Sequence, residues 1–273
     1  MNFIKLYKKE FIKDRKSFAI TLIIMTTMML LLYSRIGYWT PGIPTFVLIV
    51  TIFGFSIAAF ISCFDYMGDE WEHNNHYLVL SLPVRGRDIL GAKLVWFITE
   101  FGTYILLLGA YTIVILLGEV RGIDTINNAL YSAMAIAAWR TYGIMVLPVL
   151  YVLAATGMLA LSAYTVGSTV KRFKFWAGAI SFIGSIGALF YLSNKVMEIS
   201  PAWMHVEMSL GDILAWQKIE NALNSNGVIS ADLVSFISGT VVGVDILALL
   251  IWTAGFVGLF FMASWLLENV VEA

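Results

Sequence analysis

His73 and His76 stand three residues apart, with Glu70 and Glu72 just before them. On a helix that spacing turns both imidazoles to one face, where they could hold a divalent cation. A zinc site wants a third or fourth ligand in fixed geometry, and the H-E-x-x-H order of a helical metalloprotease is absent. These side chains therefore read first as solvated or partner-facing polar residues. Nucleotide chemistry finds no purchase either. A phosphate-cradling loop needs G-x-x-x-x-G-K-[ST], and "GSTVKR" at Gly167 has neither that spacing nor the Lys-Ser/Thr pair. Two charges remain inside apolar runs, Glu100 and Arg140. A carboxylate near the middle of a bilayer costs about 2.5 kcal/mol or more, so it faces a partner or a cavity. Two readings result. Glu100 and Arg140 lock two helices as a buried ion pair, or Glu100 lines a path.

The elements that carry these residues must be membrane helices. The chain has 273 residues, of which 60% are hydrophobic and 13% charged. A soluble domain of that length cannot bury so much apolar side chain, because surface falls too slowly with size. Net charge is −1, so no polyanionic partner and no nucleic acid is implied. A single cysteine, Cys63, excludes an intramolecular disulfide framework. The charged N-terminal stretch is too long for a cleaved signal, and no small-x-small site comes after it.

About twenty apolar residues cross the hydrocarbon core. Six runs qualify: roughly 17–34, 43–64, 91–118, 132–162, 175–193 and 245–267. They are continuously apolar, without the alternation of barrel strands, so the fold class is an all-α integral membrane protein in a single domain spanning 1–273. Lys5, Lys8, Lys9, Lys13, Arg15, Lys16, Arg85, Arg87, Lys93, Lys171, Arg172 and Lys174 fall on one side. Arg35, Arg121, Lys195 and Lys218 fall on the other. Twelve cations against four put both termini in the cytosol, in a multi-pass cell-membrane topology. Asp65 and Asp245 mark the ends of runs. Trp39, Trp139 and Trp203 suit an outer aromatic belt, Trp71 and Trp176 an inner one.

Residues 1–16 gather Phe3, Ile4, Leu6, Tyr7 and Phe11 on one side and lysines on the other, which predicts a helix lying in the cytosolic interface. Glu10 and Asp14 fall on its apolar side. They read either as part of a topology anchor or as facing a protein docked beneath. On the opposite side of the membrane, 194–244 predicts two short amphipathic or re-entrant helices forming a cap, with Trp203, Val206, Leu210, Ile213, Leu214 and Ile219 near helical spacing. Gly178, Ser181, Gly184, Ser185, Gly187 and Ala188 make a small-residue ridge in the fifth span, suited to close packing, plausibly at a dimer seam.

The connection between the second and third runs is the informative one. It begins acidic with Asp65, Asp69, Glu70 and Glu72. It turns apolar at Leu78, Val79, Leu80 and Leu82, breaks at Pro83, and turns basic at Arg85 and Arg87. Pro83 disfavours helix at Leu82. Asp88 suits the first turn of the next helix, and Lys93 can snorkel back to headgroups. A passive loop needs only a few polar residues. Leucines held outside a bilayer want a partner surface.

Asp69-Glu70 followed by "YLVLSLPVRGRDILGAKL" resembles the cytosolic loop of type-2 ATP-binding-cassette export permeases, with its acidic pair, leucine-rich segment, Leu-Pro-Val, basic pair and Gly-Lys re-entry. The six-span layout, interfacial helix and helical cap resemble that family along nearly the whole chain. The exporters of phenol-soluble modulins in Gram-positive bacteria are a close-looking branch. The resemblance implies a permease subunit that is not itself an enzyme. It implies a second permease chain, identical or paralogous, and a separate cytosolic ATPase that binds ATP and Mg. The ATPase would dock on the Asp69 to Arg87 region of the cytosolic coupling segment 65–93 and on the N-terminal helix, with Asp69, Glu70, Glu72, Arg85 and Arg87 setting charge register and Leu80, Leu82, Pro83 and Val84 supplying buried contact. The cargo would be amphipathic or hydrophobic, a toxin-like or antimicrobial peptide first. Two other classes stay open on the residues alone: an intramembrane metal-dependent enzyme, and a structural or sensor subunit without transport.

Overall fold

The continuous apolar runs leave an isolated backbone one way to satisfy its own polar groups in lipid, the α-helix. The computed structural model describes residues 3–40, 42–72, 85–121, 128–169, 174–201, 205–209 and 241–269. Among them are six α-helices: α1 (Phe3–Ser34), α2 (Ile43–Glu72), α3 (Gly86–Arg121), α4 (Asn128–Thr169), α5 (Lys174–Met197) and α6 (Ile246–Asn269). Each coincides with one of the six apolar runs. Five are long and apolar enough to cross a membrane, and α2 carries a shorter apolar stretch, Ile43–Ala58. This is compatible with a multi-pass membrane protein. α4 accommodates Pro148 inside a continuous 42-residue helix.

α3 and α4 are the two central helices, each packed against four others. α3 packs against α1, α2, α4 and α6. α1 lies parallel to it over its whole length. Phe3 meets Gly91 and Tyr33 meets Gly118. Between them Phe18 stacks near Tyr104, and the Thr26 and Tyr111 hydroxyls share a hydrogen bond of 3.0 Å. One register holds throughout. The cause is a string of interlocking side chains. Trp96 is fully buried and takes edge contacts from Tyr7, Phe11 and Phe18. Its indole N–H donates to Asp14 Oδ2 at 3.1 Å. Leu6 closes a small apolar cluster with Ile89 and Ala92 below it.

This seam corrects the expected separate interfacial helix at 1–16. α1 is one unbroken helix of 32 residues, about 48 Å at 1.5 Å per residue. It cannot lie in the interface and then turn to span while keeping a single register against α3. Glu10 and Asp14 do not face a docked protein either. Asp14 bonds Trp96, and Glu10 is 5% exposed. Leu6, Tyr7 and Phe11 of the amphipathic segment contact α3, while Ile4 stays 74% exposed. Lys93 is also corrected, since it is 2% exposed and does not snorkel.

The connections at the other end of the bundle from the start of α3 are tied to helix ends. Gly37 and Gly42 adopt φ of 88° and 92°, which turns the chain from α1 into α2. Glu119, near the end of α3, accepts from Thr45 Oγ1 at 2.8 Å and from Gly42 N at 3.3 Å, so it fastens the start of α2. The cap expected at 194–244 is not purely helical. Two strands, β1 (His205–Ser209) and β2 (Val241–Asp245), pair antiparallel with His205 opposite Asp245. β1 carries Val206 in "HVEMS" and β2 is "VVGVD"; β-branched residues suit a ladder better than a short helix. The other residues proposed for the cap, at 203 and 210–219, lie outside the described residues. Asp245 is a boundary residue as expected. Its Oδ1 accepts from Ala248 N at 3.0 Å and caps α6.

The apolar halves are staggered along α3. α6 runs antiparallel beside the first half of α3, with Glu268 at Gly86 and Phe260 at Gly91. The apolar part of α1 lies beside the second half, from Tyr104 to Gly118.

Trp96→Ala empties the centre of the α1–α3 seam and should cost about 3–5 kcal/mol in a denaturation experiment in lipid or detergent. Trp96→Phe, which loses the bond to Asp14 and part of the buried ring but keeps an aromatic there, should cost less, about 1–2 kcal/mol. Equal losses would mean the hydrogen bond, not the packing, holds the seam.

Candidate functional site

Two places in the bundle qualify as candidate sites: the interior carboxylate of α3, and the connection that enters α3 from α2. Glu100 lies on α3 one turn from Trp96 and one from Tyr104, and is 6% exposed. The Tyr104 hydroxyl donates to Glu100 Oε1 at 3.0 Å, one helical turn on. Tyr104 is itself buried, with Phe18, Phe55 and Phe101 around it. A carboxylate held this way is a fixed interior acceptor.

Arg140 is elsewhere. The α3–α4 register is fixed by Gly157 against Leu94 and Phe97, Gly102 against Leu150, and Gly109 against Tyr142. Tyr142 also donates to the Leu106 carbonyl at 2.6 Å. That antiparallel register places Arg140 beside the stretch just beyond Gly109. Glu100 lies roughly 11 residues lower, or about 16 Å along the axis at 1.5 Å per residue. Arg140 is exposed. The expected mid-depth ion pair is therefore corrected. The reason is position: Glu100 follows the start of α3's apolar run at 91 and Arg140 follows the start of α4's at 132, and in antiparallel helices those starts are at opposite ends.

The connection between α2 and α3 is the second place. α2 continues well past Ala58, through Asp65, Asp69 and Glu70 to Glu72, as one helix. Residues 73–84, with His73, His76, Leu80, Leu82, Pro83 and Val84, lie outside the described residues. The chain is described again from Arg85. Arg85 and Arg87 are exposed, and Asp88 stands in the first turn of α3 as the dipole favours. Of the residues expected to set charge register, the acids thus sit on the last turns of one helix and the arginines at the first turn of the next. Among the described residues, no group of three His, Cys, Asp or Glu side chains is placed to hold a metal ion.

The start of α3 holds a contact that sequence reasoning missed. Gly86 is buried there, and its N–H donates to Glu268 Oε1 at 2.5 Å. A Cβ at Gly86 would stand 2.9 Å from the Ser264 carbonyl oxygen. Leu90, Leu94, Ala263 and Leu267 bury one another beside it. The sequence offers one faint signal of this contact: an acidic residue near the end of the last run, and a Gly between the two arginines.

The small-residue ridge of α5 divides. Gly178 packs on the Ala163 carbonyl of α4, whereas a Cβ at Gly184 or Gly187 would meet nothing within 4 Å. No family model, no curated protein and no solved structure matches the chain.

Because Glu100 and Arg140 lie at different levels, Glu100→Gln and Arg140→Gln should be additive within about 0.5 kcal/mol in a stability cycle. Glu100→Gln with Tyr104→Phe should couple by about 0.5 kcal/mol or more. The reverse pattern would restore the ion pair.

Proposed function

We propose that the chain is the transmembrane subunit of an ATP-driven exporter, with a separate cytosolic ATPase docking on the connection between α2 and α3. The observation that carries the reading is where that connection leads. "LSLPVRGRDILGAKL" feeds directly into α3. A push on the connection reaches the bundle through a helix packed against four others. Acids at the end of α2, apolar residues from Leu78 to Val84 and exposed arginines at 85 and 87 give the segment mixed charge around a run of leucines. A protein groove fits such a segment better than water does.

In this reading the ATPase binds ATP and Mg. Glu70 and Glu72 meet basic residues of that subunit and Arg85 and Arg87 meet acidic ones. Leu80 and Leu82 enter its groove beside Pro83 and Val84. Closure of two ATPases over nucleotide moves the connection. α2 and α3 carry the motion, and two packings of the bundle alternate access. A second permease chain completes the path. The side of α5 at Gly184 and Gly187 is open to close approach by another helix. Glu100 serves as a buried anchor of α3 rather than a residue of the path. The cargo class is drawn from the apolar composition of the spans: an amphipathic or hydrophobic molecule, a peptide first.

The stagger of α1 and α6 along α3 has a consequence for seating in the bilayer. A hydrocarbon core about 30 Å thick covers both apolar stretches only when its plane is inclined to the axis of α3. Both termini then lie on the cytosolic side of a cell membrane, as the basic residues favour.

The test is co-purification from the native membrane in mild detergent, with mass spectrometry of what accompanies a C-terminally tagged chain. A soluble P-loop ATPase should appear with the wild type and be lost with Leu82→Asp and with Glu70→Arg. Its absence after mild cross-linking of the wild type would end this reading.

A further inference from the structure

The contact between Gly86 and Glu268 joins two parts of the chain 182 residues apart. It lies at the first residue of α3, one residue after Arg85 and the end of the connection. Three features make it more than a surface hydrogen bond. The carboxylate caps a helix N-terminus, where an anion is favoured by the exposed N–H groups and the dipole. The backbone approach leaves no room for a side chain at Gly86, because Ser264 O would lie 2.9 Å from its Cβ and Glu268 Cγ 3.0 Å. Immediately above, Leu90 and Leu94 are buried against Ala263 and Leu267, so the polar tie continues as an apolar one.

α1 grips the other side of the same turn. Phe3 lies on Gly91, and Leu6 is buried with Ile89 and Ala92. The N-terminal end of α1 and the C-terminal end of α6 thus both hold the start of α3. The downstream end of the connection is not a free hinge.

Resting on the exporter reading above, we propose that Glu268 is a positioning residue that makes α6 a second output of the connection, so that α3 and α6 move as one body when the ATPase acts. The sequence alone assigns the motion only to the two helices flanking the connection. Loss of the tie leaves α3 driven and α6 uncoupled. ATP hydrolysis by the partner survives, because Glu268 belongs to α6 and its carboxylate meets the Gly86 backbone rather than a docking side chain.

The experiment uses the permease with its co-purified ATPase in lipid nanodiscs, with Cys63→Ser and spin labels at exposed Val95 of α3, Trp265 of α6 and Ile183 of α5. Without nucleotide, Glu268→Ala should speed amide hydrogen exchange over residues 86–90 on the order of tenfold, and Glu268→Gln, which keeps an acceptor oxygen, should rescue most of it. With ATP and vanadate, the wild-type distance from 95 to 265 should hold while that from 95 to 183 shifts. In Glu268→Ala the distance from 95 to 265 should shift as well, with ATPase activity retained, and in Gly86→Ala the same distance should shift. A distance from 95 to 265 that stays fixed in both variants while 95 to 183 shifts overturns the proposal and leaves the exporter reading intact. No nucleotide-driven change in the wild type overturns both, and unchanged exchange in Glu268→Ala overturns the tie itself.

Discussion

The structure depends on the seam where α1 lies parallel to α3. Fully buried Trp96 is its centre, held by three aromatic edges and by Asp14. Parallel helices joined by a long excursion through α2 have no short loop to set their register. Side-chain fit must do it. A Trp gives the largest apolar area available and a single N–H that demands one acceptor. Asp14 supplies that acceptor from a stretch otherwise rich in lysine. An acid that looks misplaced on an amphipathic wheel is thereby explained. With the register set, Phe18 reaches Tyr104, and Tyr104 fixes Glu100. The interior carboxylate is thus a consequence of the seam rather than of an ion pair.

The seam also arranges the rest of the bundle. α3 carries α1 on one side and α4, α2 and α6 on others, so its start, just after Arg85, becomes the junction of both termini. The segment whose composition most resembles a docking element therefore ends on a turn held from two sides. That is a mechanically sensible arrangement for a transmitted push. It also shows why Gly86 stands after a basic residue: no larger residue lets α6 approach.

Much of the architecture was legible in the sequence because helical spans are specified by composition. The six apolar runs and their helical state needed only length and hydropathy, and Asp88 and Asp245 fell where helix termini want acids. Three things were not legible. The partner of an interior charge is set by contacts between distant residues, so Glu100 and Arg140 share apolar surroundings without sharing a level. Amphipathicity does not say what covers the apolar face; for Leu6, Tyr7 and Phe11 it is α3. The strands at 205–209 and 241–245 pair across 31 intervening residues, beyond the reach of local periodicity. The Glu268–Gly86 tie belongs to the same class, a contact without a local signature.

The most direct measurement is oxidative cross-linking of cysteine pairs placed at both ends of the α1–α3 seam in a Cys63→Ser background: Leu6 with Ile89, and Tyr33 with Gly118. A continuous parallel seam predicts cross-links at both ends in the membrane-embedded protein. Cross-linking at Tyr33 and Gly118 with none at Leu6 and Ile89 would mean that the first half of α1 leaves α3. The roles given to the seam, to Glu10 and Asp14, and to the gripped start of α3 would then fail together.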